Sequence, residues 1–190
     1  MPIKEGNLQF TFCEGTTAVK YDETSYYKIF KNMDGGKGVD ILAMLDKKLD
    51  IIEVKNFDKY ERNQETKNRF IFRNEDNVET LDKEVAKKVA MTFAGLCGVC
   101  IKQDEELLSF FNFLKSGMKE KRINVLLFLE GDLKKLTGHN ATEFKDILER
   151  RLKNQLKWSG CGIRIIDSSS KFGNLLLEKV EKEAETNRES

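Results

Sequence analysis

From residue 7 the chain alternates apolar and polar positions over NLQFTFC, the period-two pattern of a strand with one buried face. Glu14-Gly15-Thr16 reads as a turn, so residues 17–22 are expected to return as the hairpin partner of that strand. Thr24 or Ser25 caps a short helix, SYYKIFKN, which stops before Gly35-Gly36. Two apolar runs, residues 38–45 and 49–55, form a further hairpin, and RFIFR at residues 69–73 is another strand candidate. The period then changes. Val85, Val89, Phe93, Leu96 and Cys100 fall at steps of three and four, which predicts a helix from Leu81 to about Ile101 with a small, Ala- and Gly-rich C-terminal half. Residues 104–117 predict a second helix ending at Gly117. INVLLFLE, residues 123–130, is a continuous apolar run of the buried-strand type. Phe144, Ile147, Leu148, Leu152 and Leu156 predict a helix over 142–157, and GIRIID, residues 162–167, a last strand. From Glu178 onward the chain is charged, and residues 178–190 are expected to be a frayed helix or a disordered tail, leaving residues 1–177 as one domain. Strand runs followed by alternating helices argue for an α/β sandwich around a mixed sheet.

Composition narrows the classes. A chain of 190 residues with 39% hydrophobic content and thirteen Phe buries a sizeable core. The charges nearly cancel, at a formal +1, so a basic coat is excluded and any site for a polyanion must be local. No apolar run reaches the roughly 18 residues of a membrane span. The N-terminus lacks the apolar centre of a signal peptide. The expectation is a cytoplasmic protein, without a membrane partner, whose four cysteines are reduced.

The second hairpin changes the picture, because Asp40, Glu53 and Lys55 interrupt runs that otherwise ask for a core. Residues two apart on a strand share a face, so Glu53 and Lys55 project together. Asp40 joins them if the hairpin has a two-residue turn. With the turn at Asp46-Lys47, Asp40 faces Glu53; with the turn at Lys47-Lys48, it faces Lys55. A three-residue turn pairing Leu45 with Leu49 would send Asp40 to the opposite face. Two half-buried carboxylates on one face repel each other and lose hydration, and a cation between them relieves both costs. Oxygen donors favour Mg²⁺ or Mn²⁺ over zinc. A lysine beside such an ion would orient a water or stabilise charge on a phosphate, so the three side chains suit phosphodiester hydrolysis.

GVD, twelve residues, then EVK resembles the signature of the PD-(D/E)XK nuclease superfamily, with Val39 in the place of the proline. The resemblance extends over the order of elements from the helix near residue 25 to the strand ending near residue 129. It implies a restriction-endonuclease-like three-layer core, a mixed β-sheet flanked by helices in the order αβββαβ, here with an extra C-terminal helix and strand. It implies a Mg²⁺- or Mn²⁺-dependent nuclease acting on nucleic acid, DNA in the first place. Asp40 and Glu53 would be metal ligands together with the carbonyl of Val54, and Lys55 the catalytic lysine. A further glutamate from the preceding helix would be Glu23, with Glu14 as runner-up. A polar residue after the lysine strand would be Gln64 or Asn56. Cutting two strands needs two sites, which suits a homodimer. The alternative reading is a non-catalytic relative, a nucleic-acid- or protein-binding module of a defence or mobile-element system.

The basic residues cluster despite the neutral total. Residues 55–73 hold six Lys/Arg against three acids, and Lys59, Arg62, Lys67 and Arg69 directly follow Lys55, as a substrate-guiding loop would. Residues 145–164 hold six Lys/Arg against two acids. Tyr60 and Trp158 lie within these segments, and their rings could stack on bases. The competing reading of 145–157 is an ordinary solvated helix face. Cys97-x-x-Cys100 lies mid-helix among small apolar residues and reads as packing. His139, the single histidine, reads as a loop residue, and Gly35-Gly36-Lys37-Gly38 lacks nucleotide-binding spacing and gives the backbone room beside Asp40.

Overall fold

Leu45 pairs with Lys48 across a two-residue turn in which Asp46 takes a φ of 50°. The hairpin therefore adopts the first of the registers above, and it organises the fold. The computed structural model describes residues 2–57, 70, 79–116 and 119–183. The strand expected at 69–73, with Lys59, Tyr60, Arg62, Gln64, Lys67 and Arg69, lies outside them apart from Phe70. The chain is mixed α/β. Strands β1 (Ile3–Glu5), β2 (Leu8–Phe12) and β3 (Thr17–Lys20) precede a 3-10 turn at Tyr21–Glu23 and helix α1 (Ser25–Phe30). The hairpin is β4 (Ile41–Leu45) and β5 (Lys48–Asn56). Helices α2 (Leu81–Lys102) and α3 (Leu108–Lys115) lead to β6 (Arg122–Glu130). Helices α4 (Leu133–Thr137) and α5 (Ala141–Gln155) lead to β7 (Gly162–Ile166), and β8 (Leu177–Lys182) ends the described chain.

Five strands form one sheet in the order β3-β4-β5-β6-β7. Neighbours β3, β4 and β5 run antiparallel, whereas β5, β6 and β7 are parallel, each joined by a helical crossover. Parallel strands buried on both faces need continuous apolar runs, and Val125–Leu129 of β6 is one. One face of the sheet, with Leu42, Leu49, Ile51, Val125, Leu127 and Ile163, packs against Val85, Val89 and Leu96 of α2 and Leu148 and Leu152 of α5. The other face, with Ile41, Ala43, Ile52, Leu126 and Phe128, is covered by a second sheet of order β1-β2-β8. Helices therefore flank the main sheet on one side, and a small antiparallel sheet covers the other.

Two expectations are corrected. β3 does not pair with β2; it pairs with β4, while β2 is bordered by β1 and β8. The turn after Cys13 carries the chain from one sheet to the other, because Leu8, Phe10 and Phe12 cover the face on which Phe128 lies, with Phe10 and Phe128 in edge contact at 5.0 Å. Residues 178–182 are not a frayed helix but part of β8, in which Leu177 and Val180 are buried. The small half of α2 has a packing reason: a Cβ at Gly95 would collide with the Tyr21 hydroxyl, and one at Gly98 with that of Tyr26. Gly38 likewise leaves space for the Tyr21 ring two residues ahead of Asp40.

Candidate functional site

Asp40 precedes the first paired residue of β4 and is held from several sides. Its backbone N–H donates to the Ile52 carbonyl at 3.1 Å, and its own carbonyl accepts from Tyr21 N–H at 2.7 Å. The N–H of Val39 donates to Thr92 Oγ1 of α2 at 3.0 Å. Asp40 Oδ2 accepts from the Val54 N–H at 2.6 Å. This last bond forms because β4 stops pairing at Ile41 while β5 runs on to Asn56, which leaves the β4 edge of β5 open beyond Ile52. In an extended strand the N–H and C=O of one residue point to the same edge, so the Val54 carbonyl faces that edge too.

The register puts Glu53 and Lys55 on the helix-facing side, beneath α2. Glu53 is fully buried and Asp40 is 8% exposed. Lys55 Nζ lies 2.7 Å from Glu53 Oε1 and 3.0 Å from Glu84 Oε1 of α2. A second ammonium, Lys88 of α2, lies 2.7 Å from Glu53 Oε1 and 3.7 Å from Asp40 Oδ1. Three carboxylates thus meet two ammonium groups. Glu53 Oε2 is buried and has no hydrogen-bond partner among the described residues.

Burial, with the negative charge of Asp40, pushes Glu53 from its ordinary 4.5 up to about 7 against the opposing pull of Lys55 and Lys88. Burial alone would lower the Lys88 ammonium, but the charges of Glu53 and Asp40 more than reverse this and raise it. Asp22, in the turn before α1, is pushed up to about 6 by burial first and then by Asp40 and Glu5, and its Oδ1 lacks a hydrogen-bond partner among the described residues. Folded Glu53 keeps its proton where the unfolded chain has lost it. The metal-free protein is therefore expected to lose stability as pH rises from about 4.5 to 7, by about 3 to 4 kcal/mol from this group. Asp22 adds the same trend between 3.8 and about 6. Urea midpoints across this range read the slope, and Glu53→Gln should flatten it; an unchanged slope would remove Glu53 as its source.

The structure brings Asp40, Glu53, Val54 and Lys55 together. It does not bring Glu23, whose side chain is 65% exposed and bonded to Lys20 at 2.6 Å, nor Glu14, exposed in the turn after β2. The acid of that region coupled to Asp40 is Asp22, one residue earlier. Asn56 donates to Asn7 Oδ1 at 2.7 Å. Lys88 and Glu84 join the cluster from α2, outside the residues that the hairpin pattern points to. Their signal is Glu84, Lys88 and Thr92, a polar stripe at steps of four beside the buried stripe of α2. Elsewhere, Lys145, Arg151 and Lys153 are engaged by Asp167, Asp82 and Glu149, so much of the second basic cluster is neutralised internally. Trp158 is exposed and touches Phe93 edge-on. Cys97 is exposed, so packing does not account for it, and Cys100 is half-buried; all four cysteines are free. His139 lies exposed between α4 and α5.

Among the described residues no group of three or more His, Cys, Asp or Glu side chains is arranged to hold a metal ion. The donors that converge are two carboxylates, Asp40 and Glu53, one with an unpartnered buried oxygen, and the edge on which the Val54 carbonyl lies. All are hard oxygen donors of the kind Mg²⁺ and Mn²⁺ take. No helix among the described residues is long and apolar enough to cross a membrane.

A cysteine–tRNA ligase of Neisseria meningitidis serogroup A / serotype 4A is 27% identical over an alignment of 152 positions, and the match covers 67% of this chain and 21% of that protein. The chain thus spans about a fifth of the length of this curated relative. No solved structure matches. The model of a family of unknown function, DUF6661, matches residues 24–176, which include Asp40, Glu53, Lys55, Glu84 and Lys88 and leave out β1, β2, β3 and β8. With most of its length covered, from the cap of α1 to the residue before β8, the chain belongs to the family of unknown function DUF6661.

Proposed function

We propose that the chain is a divalent-metal-dependent nuclease with a restriction-endonuclease-like core, hydrolysing phosphodiester bonds in DNA. The observation that carries this reading is the convergence of Asp40, Glu53 and Lys55 at the open edge of one hairpin, with the Val54 backbone tied to Asp40. Asp40 and Glu53 would hold the ion with the Val54 carbonyl. A bound Mg²⁺ or Mn²⁺ would supply Lewis acidity toward a phosphate oxygen and lower the pKa of an attacking water. Lys55 is fixed between Glu53 and Glu84, which keeps its ammonium at the site where it orients water and stabilises developing phosphate charge. Asp22 takes the place that the resemblance gives to Glu23. Cutting both strands of a duplex would take two copies of the chain.

A specific observation favours a second reading. Lys88 already supplies a positive charge against Asp40 and Glu53, so much of their repulsion is relieved without a metal. A relative that holds its acids this way would be a nucleic-acid- or protein-binding module without catalysis. Metal titration separates the two. The nuclease reading expects Mn²⁺ at a hundred times its dissociation constant to stabilise the protein by about 2.7 kcal/mol, seen as a raised Tm, with the gain lost in Glu53→Ala. A binding module keeps the same Tm with and without Mn²⁺.

A further inference from the structure

We propose that Lys88 is a built-in competitor for the divalent ion: its ammonium rests against the two carboxylates that would bind the metal, and a metal must displace it. This inference rests on the nuclease reading and concerns the regulation of the same site. Two distances carry it. Lys88 Nζ is 2.7 Å from Glu53 Oε1 and 3.7 Å from Asp40 Oδ1, so it contacts both acids that define the site. Lys55 is different: it contacts Glu53 and Glu84 but not Asp40, and so lies beside the pair.

The backbone at Lys88 is fixed, since its carbonyl accepts from Thr92 Oγ1 at 2.9 Å, and the same Thr92 oxygen accepts from Val39 N–H. The side chain above it is a four-carbon stem ending in a compact charge, and at 15% exposure it keeps a way out to solvent. One ammonium between two carboxylates leaves part of their repulsion uncompensated, and a divalent ion compensates it more fully. Metal binding is then an exchange of one cation for another, and its apparent affinity is reduced by the fraction of molecules in which Lys88 holds the acids. The device keeps two buried acids together before metal arrives and sets a threshold concentration for loading.

The test is calorimetric titration of Mn²⁺ into the full chain and its variants at fixed pH, with no substrate present. Lys88→Met is expected to bind Mn²⁺ about tenfold tighter than the wild-type chain, because the competing state is removed. Lys88→Arg retains the charge and should bind as weakly as wild type. Asp40→Asn combined with Lys88→Met should lose the gain. Should Lys88→Met not fold, Lys88→Gln, which still donates a hydrogen bond to Glu53, carries the same comparison. Affinity in the neutral variant equal to or below that of wild type overturns the competition and leaves the metal reading standing. Absence of Mn²⁺ binding in both proteins overturns the metal reading and the competition with it.

Discussion

Asp40→Asn should lower Mn²⁺-dependent cleavage of DNA by roughly 10³-fold, the scale on which single charge-stabilising groups act in such sites, while the chain stays folded. The separation of the two effects follows from how Asp40 is held. Its carboxylate has a structural task, accepting the Val54 N–H through Oδ2 at 2.6 Å. An asparagine oxygen accepts the same bond, and the Ile52, Tyr21 and Thr92 contacts made by the backbone at residues 39 and 40 are unaffected by the side chain. What asparagine removes is one of the two negative charges, and with it the electrostatic reason for a divalent ion to sit there. A panel of plasmid, linear, single-stranded and junction DNA measures the loss; full cleavage by the variant would take Asp40 out of the chemistry.

Lys88→Met should destabilise the metal-free protein by about 3 kcal/mol, the low end of the cost of breaking a buried ion pair from one side. Glu53 is fully buried, and removing Lys88 leaves it beside Asp40 with Lys55 as its remaining cation among the described residues. The presence of Lys55 keeps the cost from rising further. The protein can also protonate Glu53, already pushed up to about 7, so the loss should shrink at lower pH. Adding Glu53→Gln to Lys88→Met should recover part of the stability, because the fully buried charge is gone and only Asp40, which keeps the Val54 N–H, is left without its ammonium. Denaturant midpoints at pH 7.5 and pH 5 read both effects, and equal stability of wild type and Lys88→Met at the higher pH would show that Lys88 does not balance the site.

Much of this arrangement is legible in the chain itself where the signals are local. The apolar steps of three and four give α2 to within one residue at its C-terminal end, and the charged turn Asp46-Lys47 fixes the hairpin once its register is known. That register decides the site, because a one-residue slip would turn Asp40 away from Glu53. Thr24 caps α1 through a bond from Tyr27 N–H, as its side chain suggests.

The misses are non-local. β8 pairs with β2 from the far end of the chain, and the ladder shifts between Thr11 and Phe12. This irregularity puts the buried Leu177 and Val180 three residues apart, a helix-like spacing in a strand. β3 joins β4 instead of its neighbour in sequence because β2 is needed in the other sheet. Asp22 and Glu23 are adjacent carboxylates, and only the backbone of the 3-10 turn distinguishes the half-buried one from the exposed one. Lys88 reads as a surface residue of an amphipathic helix until the sheet places two acids beneath it.

On the nuclease reading, Asp40 and Glu53 together make a seat for a divalent cation. Diffraction from crystals grown with Mn²⁺, recorded at the manganese absorption edge, tests it directly. An anomalous peak is expected between the two carboxylates, with the Lys88 ammonium turned out toward solvent. Crystals saturated with Mn²⁺ that show no peak there, and Lys88 still resting on Glu53, would contradict it.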